Sequence, residues 1–224
     1  MLIAEELLLL LLDDRSGASR SSFMRPGLGG ALLVELAMAE CVAVGPRRRW
    51  TGAKVSAVAG VPVPQDPLLR AAYATVAAKP QRAQYLVNAL GKNLQSALAE
   101  RLVEQGILER RQSRVLGLFP RTRWPARDTF DKQQVRRSVT AALVEGQEPD
   151  PRTAALIALL SALDRAHKTV DRGGVSSREV KRRARKIAEG NWAAKGVRDA
   201  IQAATAAVMV TVTAGGAAAA SSGS

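Results

Sequence analysis

Residues 1–14 read MLIAEELLLLLLDD, and the six consecutive leucines from Leu7 to Leu12 decide what kind of fold this chain can adopt. A helix that is apolar all round has no face to offer water, so other elements must enclose it. The run is flanked by Glu5, Glu6, Asp13 and Asp14, lacks the basic start of a signal peptide, and is too short to span a bilayer. Thr153 to Leu163, after the Pro/Asp-rich break EPDP, is also apolar almost all round and predicts a second helix in the middle of a bundle.

Outward from the leucines, RSGASRSSFMRPGLGG predicts a long loop of the kind that often carries function. A helix from about Gly30 to Glu40 follows, with Leu33, Leu36, Ala37 and Cys41 on one face. Cys41 then reads as a small buried hydrophobe. Val42 to Val44 and Lys54 to Val58, around GPRRRWTG, predict a hairpin. Helical stretches over Asp66 to Ala78 and from Gln81 onward are separated by Lys79-Pro80, and the row Leu86, Leu90, Leu94, Leu98, Leu102 predicts one long helix ending at Gly106. Ile107 to Glu109 and Val115 to Phe119 then suggest strands before a Pro-bounded basic loop.

Val135, Val139, Ala142 and Leu143 mark a further amphipathic helix, and Ser176-x-x-Glu179 opens a basic one over 178–189 with Gly190 as its stop. A last helix runs from Val197 to about Val212. The organisation expected is one domain over 1–213 and a low-complexity, disordered tail over 214–224. The fold class is mainly α: a central helical bundle ringed by amphipathic helices, with one or two β-hairpins.

Composition agrees with that class, because the 224 residues are 47% hydrophobic but only 4% aromatic, with Ala and Leu dominant. One Cys and one His exclude a disulfide framework, a Cys/His zinc cluster and a Cys-x-x-Cys redox pair, so no metal or cofactor is expected and a reducing, cytoplasmic compartment is the default. No catalytic residues are expected either: His167, with Asp164 three residues before it, reads as a pair at a helix end. GLGG at 27–30 lacks the strand before and the Lys-Ser/Thr after that a phosphate-binding loop requires.

The net charge of +13 and pI near 10.9 point to a polyanion, either nucleic acid or an anionic lipid surface. The charge lives in two segments: residues 101–137 hold ten Lys/Arg against four Asp/Glu, and residues 165–198 hold eleven against three. The first combines Leu116, Leu118, Phe119 and Trp124 with Arg114, Arg121, Arg123 and Arg127, a pattern that can press apolar groups into a headgroup boundary while arginines meet phosphates. GPRRRW (Arg47, Arg48, Arg49, Trp50) repeats it in miniature. The same segment, a helix followed by two strands with an Arg-rich tip, also fits a winged-helix nucleic-acid binder, although the leucine row leaves little polar face for base edges.

LIAEELLLLLLDDRSG, GLGGALLVELAMAECV, ALAERLVEQGIL, VLGLFPRTRWP and EPDPRTAALIALLSALD resemble, in that order, the Golgi phosphoprotein 3 family, especially its bacterial members, over about residues 1–213. The resemblance implies a bundle of buried helices with a projecting hairpin. It also implies a peripheral membrane protein, since the eukaryotic relatives bind phosphatidylinositol 4-phosphate in a basic pocket, insert the hairpin tip into the bilayer and link glycosyltransferase tails to a vesicle coat. The Trp that follows a loop Phe in the eukaryotic relatives is here Met24 after Phe23, and the arginine of their Gly-Leu-Arg-Gly turn is absent from Gly27-Leu28-Gly29-Gly30. Two further family arginines align with Lys92 and Gln95.

The expected function is therefore non-enzymatic binding of anionic phospholipid at the cytoplasmic face of a membrane. Arg25, Lys92, Gln95, Arg121 and Arg123 are expected at the headgroup, and Leu118, Phe119 and Trp124 in the interface. Tails of other proteins and a second copy of the chain stand as further partners, with nucleic acid behind them.

Overall fold

The computed structural model describes residues 1–19, 21–45, 54–115, 119–190 and 195–221, and it is mainly helical with two small antiparallel hairpins. The leucine helix α1 (Ile3–Leu11) lies at the centre, with Leu7 to Leu12 each at most 2% exposed. Around it pack α2 (Met24–Met38), α5 (Leu94–Glu104), α6 (Phe130–Thr140) and α7 (Pro151–Ala162). At about 1.5–3 kcal/mol for each fully buried leucine, this run is a large share of the core's driving force.

Charges at the start of α1 tie its neighbours together. Glu5 is fully buried, accepts from the Leu2 backbone N–H at 2.6 Å and pairs with Arg101 Nε of α5 at 3.0 Å. Arg101 also donates to Asp66 at 2.5 Å. Arg152, in the first turn of α7, donates to Glu6 (3.0 Å), to Glu35 of α2 (3.1 Å) and to the Met1 carbonyl (2.5 Å). Thr153 to Leu160 are all buried, as the sequence predicts, behind an Asp150 cap that accepts the N–H groups of Arg152 and Thr153.

The helix expected from Gly30 begins at Met24 instead, so Gly27, Gly29 and Gly30 lie inside α2 rather than in a turn. Their reason is contact. A Cβ at Gly29 would stand 2.0 Å from the Val87 carbonyl oxygen of α4 (Ala83–Leu90) and one at Gly30 2.7 Å from Val208. Glycine inside a helix costs about 1 kcal/mol, which the close approach of α2 to α4 offsets here.

The long helix predicted from Gln81 to Gly106 is two helices, α4 and α5, broken at Gly91–Asn93, with Asn93 left-handed at φ 58°. The leucine row survives the break because all five leucines are still buried.

The first hairpin pairs β1 (Val42–Val44) with β2 (Val55–Ala57), close to expectation; Arg47 to Trp50 fall outside the described residues. Next comes α3 (Pro67–Ala77). The second hairpin is displaced from the strands predicted, pairing β3 (Arg111–Val115) with β4 (Phe119–Arg123). Arg111 and Gln112 are both exposed, as are Arg121 and Thr122, so these neighbouring positions show none of the alternation that marks a strand. The hairpin's base is fixed to the first loop: the Trp124 N–H donates to the Gly17 carbonyl and the Ala126 N–H to that of Asp14. Gly17, at φ 61°, has no room for a Cβ, which would fall 2.2 Å from the Trp124–Pro125 backbone.

Beyond α6 the chain makes one π-helical turn (Ala141–Glu145) before α7. Outside α7 lie the short α8 (Ala166–Thr169) and the basic helix α9 (Ser177–Ala188), capped by Ser176 as its sequence predicts. The last helix, α10 (Lys195–Ser221), packs on α2, α4 and α7. It runs past the boundary expected at 213 as far as Ser221, through alanines of the highest helix propensity. Among the described residues, no helix is long and apolar enough to cross a membrane.

Candidate functional site

The break between α4 and α5 is where predicted site residues converge. Arg25, exposed in the first turn of α2, donates through Nε to the Asn88 carbonyl of α4 at 2.9 Å. Three residues on, the backbone of Gly91 lies so close to Arg25 that a Cβ there would stand 1.9 Å from the Arg25 carbonyl oxygen. Only glycine fits, and the contact fixes the next residue, Lys92, beside the start of α2.

Asn93 then takes the left-handed conformation and α5 begins at Leu94 with no side-chain cap on its first turn. The Leu94 N–H donates to the Gly91 carbonyl at 3.4 Å, which leaves the Gln95 and Ser96 N–H groups and the positive end of the helix dipole, the chemistry that holds phosphates. Lys92 is exposed beside that end, and Gln95 is half-buried in its first turn. Arg25, Lys92 and Gln95, distributed over two segments in the sequence, thus surround one junction. With Nε engaged by Asn88, the Arg25 guanidinium is oriented while its outer nitrogens remain as donors.

Asn88 and Gly91, which hold Arg25 at this candidate site, are not singled out by the sequence. Their signal was present in Gly91-Lys92-Asn93, since Gly and Asn together are breakers inside a helical pattern, but the unbroken leucine row masked it.

The hairpin residues belong to a separate element, joined to this junction through the loop between α1 and α2. Arg121 is exposed on β4 opposite Ser113, and Arg123 is half-buried opposite Arg111. Phe119 begins β4 opposite Val115, while Leu118 lies outside the described residues. Trp124 corrects an expectation: at 5% exposure it packs in the core at the hairpin's base, so its ring holds the hairpin to the body and is not presented to an interface. The backbone tie to Gly17 explains why.

The second basic segment stands apart. Val180 and Ala184 bury one side of α9 against α7, leaving Arg178, Arg182, Arg185 and Lys186 exposed. The charges do not all face water, as a solvated run would: Lys181 pairs with Asp164 at 2.8 Å, and Arg183 donates to the Leu143 and Val144 carbonyls. His167 Nδ1 stands 4.0 Å from Asp164. Burial, then the Lys181 charge, push its pKa below the ordinary value, which keeps the ring neutral at pH 7.

The family model described as Golgi phosphoprotein 3 (GPP34) matches residues 3–204, nearly all of the chain. No curated protein matches it.

Proposed function

Because the chain belongs to the Golgi phosphoprotein 3 (GPP34) family, which is not known as a family of enzymes, we propose that it is a peripheral protein that binds anionic phospholipid headgroups and catalyses no reaction. The observation that carries this reading is the meeting of Arg25 and Lys92 at the uncapped start of α5. A headgroup phosphate approaching there would accept from the Gln95 and Ser96 N–H groups and lie beside both cations, with the Gln95 side-chain amide available to a hydroxyl. The hairpin works alongside, with Arg121 and Arg123 at lipid phosphates and Leu118 and Phe119 at the apolar boundary. The surface engaged is the cytoplasmic face of a membrane.

The resemblance names phosphatidylinositol 4-phosphate as the family headgroup, but the position of one family arginine is Gly29 here, packed against α4. A lysine does not reproduce the bidentate hold of arginine on phosphate. The site therefore accepts other anionic lipids with little discrimination.

Co-sedimentation with vesicles of neutral lipid, neutral lipid plus phosphatidylglycerol, and neutral lipid plus phosphatidylinositol 4-phosphate at matched charge tests this. Binding to both anionic mixtures and not to neutral vesicles is expected. Each basic residue near an anionic surface contributes about 1 kcal/mol, so Arg25→Ala with Lys92→Ala should weaken binding on the order of tenfold or more. Failure of the wild-type chain to bind either mixture overturns the function, and undiminished binding by the double variant overturns the site.

A further inference from the structure

The π-helical turn at Ala141–Glu145 ends at Gly146, at φ 79°, and a short loop follows before Asp150 caps α7. Between the resulting loop and α9 lies a cavity of about 600 Å³, within the size range of small-molecule sites. π-Turns are rare and are concentrated at functional sites.

The cavity is built rather than incidental. The carbonyls of Leu143 and Val144 at the end of the π-turn accept from Arg183 Nη1 at 3.2 and 2.7 Å. Glu179 accepts from Arg183 Nε at 2.8 Å and from Arg182 at 2.8 and 2.7 Å. The hydrogen bonds from Arg182 and Arg183 hold the Glu179 carboxyl down at about 2, so the clamp stays ionised at any physiological pH. Arg183 is thereby committed to structure, while Arg182, exposed at the rim, has its charge paired with Glu179.

Among the described residues, what the clamp leaves to the cavity is one cation without an ion pair and an apolar surface. Lys186, one turn beyond Arg182 on the exposed side of α9, makes no ion pair among the described residues. Ala142, Pro149 and Ile187 supply apolar wall, and Glu148 stands among the lining residues as the one carboxylate outside the clamp.

We propose that this cavity binds an amphiphilic anion, its single phosphate or carboxylate head on Lys186 and its apolar body against Ala142, Pro149 and Ile187. One uncommitted cation suits one anionic group, and Glu148 disfavours a second. The cavity is distinct from the Arg25–Lys92 junction, because it lies on α9, outside α7, whereas the junction is formed by α2, α4 and α5.

Isothermal titration of the full chain with decyl phosphate and decanoate below their micellar concentrations, with decanol and with inorganic phosphate, tests the proposal. One-to-one binding of at least one amphiphilic anion is expected, and at least tenfold weaker binding of decanol and of phosphate alone. Lys186→Glu should weaken the anion at least tenfold, while Lys79→Glu, the same charge change on an exposed residue after α3, should not. Gln147→Trp, on the exposed loop, should block the cavity without disturbing the core. No binding of either anion, equal binding of decanol, or an unaltered Lys186→Glu variant overturns the proposal. Weakened binding of Lys186→Glu to phosphatidylglycerol vesicles would assign the head to a membrane lipid; undiminished vesicle binding beside the lost decyl phosphate site would assign it to a soluble amphiphile.

Discussion

Arg111 and Arg123 stand directly opposite each other across β3 and β4, two guanidinium groups at one register position. Like charges so placed destabilise a strand pair. Glu109 relieves Arg111 at 2.9 Å, and that hydrogen bond draws the Glu109 carboxyl below its usual range. Arg123 is left as the charge that the hairpin carries at a cost to itself. Arg123→Glu should therefore slow amide exchange in the hairpin, by creating a cross-strand ion pair, and at the same time weaken binding to phosphatidylglycerol vesicles on the order of tenfold. Vesicle binding that does not change would remove the hairpin from the lipid surface.

Restoring the family's arginine at position 29 should fail. A Cβ at Gly29 would meet the Val87 carbonyl at 2.0 Å, and the position is fully enclosed between α2 and α4. Gly29→Arg must separate those helices, so a lower melting temperature by circular dichroism is expected, with no gain in phosphoinositide selectivity. A stable Gly29→Arg chain with sharpened selectivity would mean that α2 and α4 can part to form the pocket.

Arg101 neutralises a carboxylate that has no access to water. Arg101→Met leaves Glu5 buried and uncompensated, a change that costs on the order of 3–5 kcal/mol for a buried pair. Adding Glu5→Gln to Arg101→Met should recover a good part of that loss, because the orphaned charge is then gone. Urea denaturation of the two variants reads the difference directly, and equal midpoints would show that Arg101 acts through Asp66 alone.

His167 gives a pH dependence whose sign follows from its depressed pKa. The unfolded chain takes up a proton near the ordinary histidine value, while the folded ring resists it because of burial and Lys181. Protons then favour the unfolded state, so this group's contribution is present above about pH 6.5 and is lost as pH falls below it. As the only histidine, it can be titrated by NMR without ambiguity. A pKa below the model-peptide value is expected, moving back up in Lys181→Ala; a ring that titrates at or above the ordinary value contradicts the packing around it.

The buried elements were legible in the sequence because enclosure leaves a compositional mark. Leu7 to Leu12 and Thr153 to Leu163 have no polar face, and the structure places both inside. The α4–α5 break was not legible by periodicity, because Leu90 and Leu94 stay on the buried side on both sides of Asn93. Nor was the origin of the glycines in α2, whose purpose depends on Val87, far away in the chain. At the site, Arg25, Lys92 and Gln95 were nameable in advance but their meeting was not, since it rests on the Arg25–Gly91 backbone contact. Trp124 was misplaced because an aromatic residue among arginines reads the same whether it faces lipid or closes on Gly17.

The central position of α1 sets an order of events during synthesis. Among the first residues of this sequence to be made, Leu7 to Leu12 are enclosed only when Pro151–Ala162 arrives from the far end to complete their surroundings. At about 5–20 residues per second of translation, the most apolar stretch of the chain waits roughly 7–30 s for that partner. During that interval α2, α5 and α6 can cover part of the leucine helix, but the side that α7 closes stays open to water.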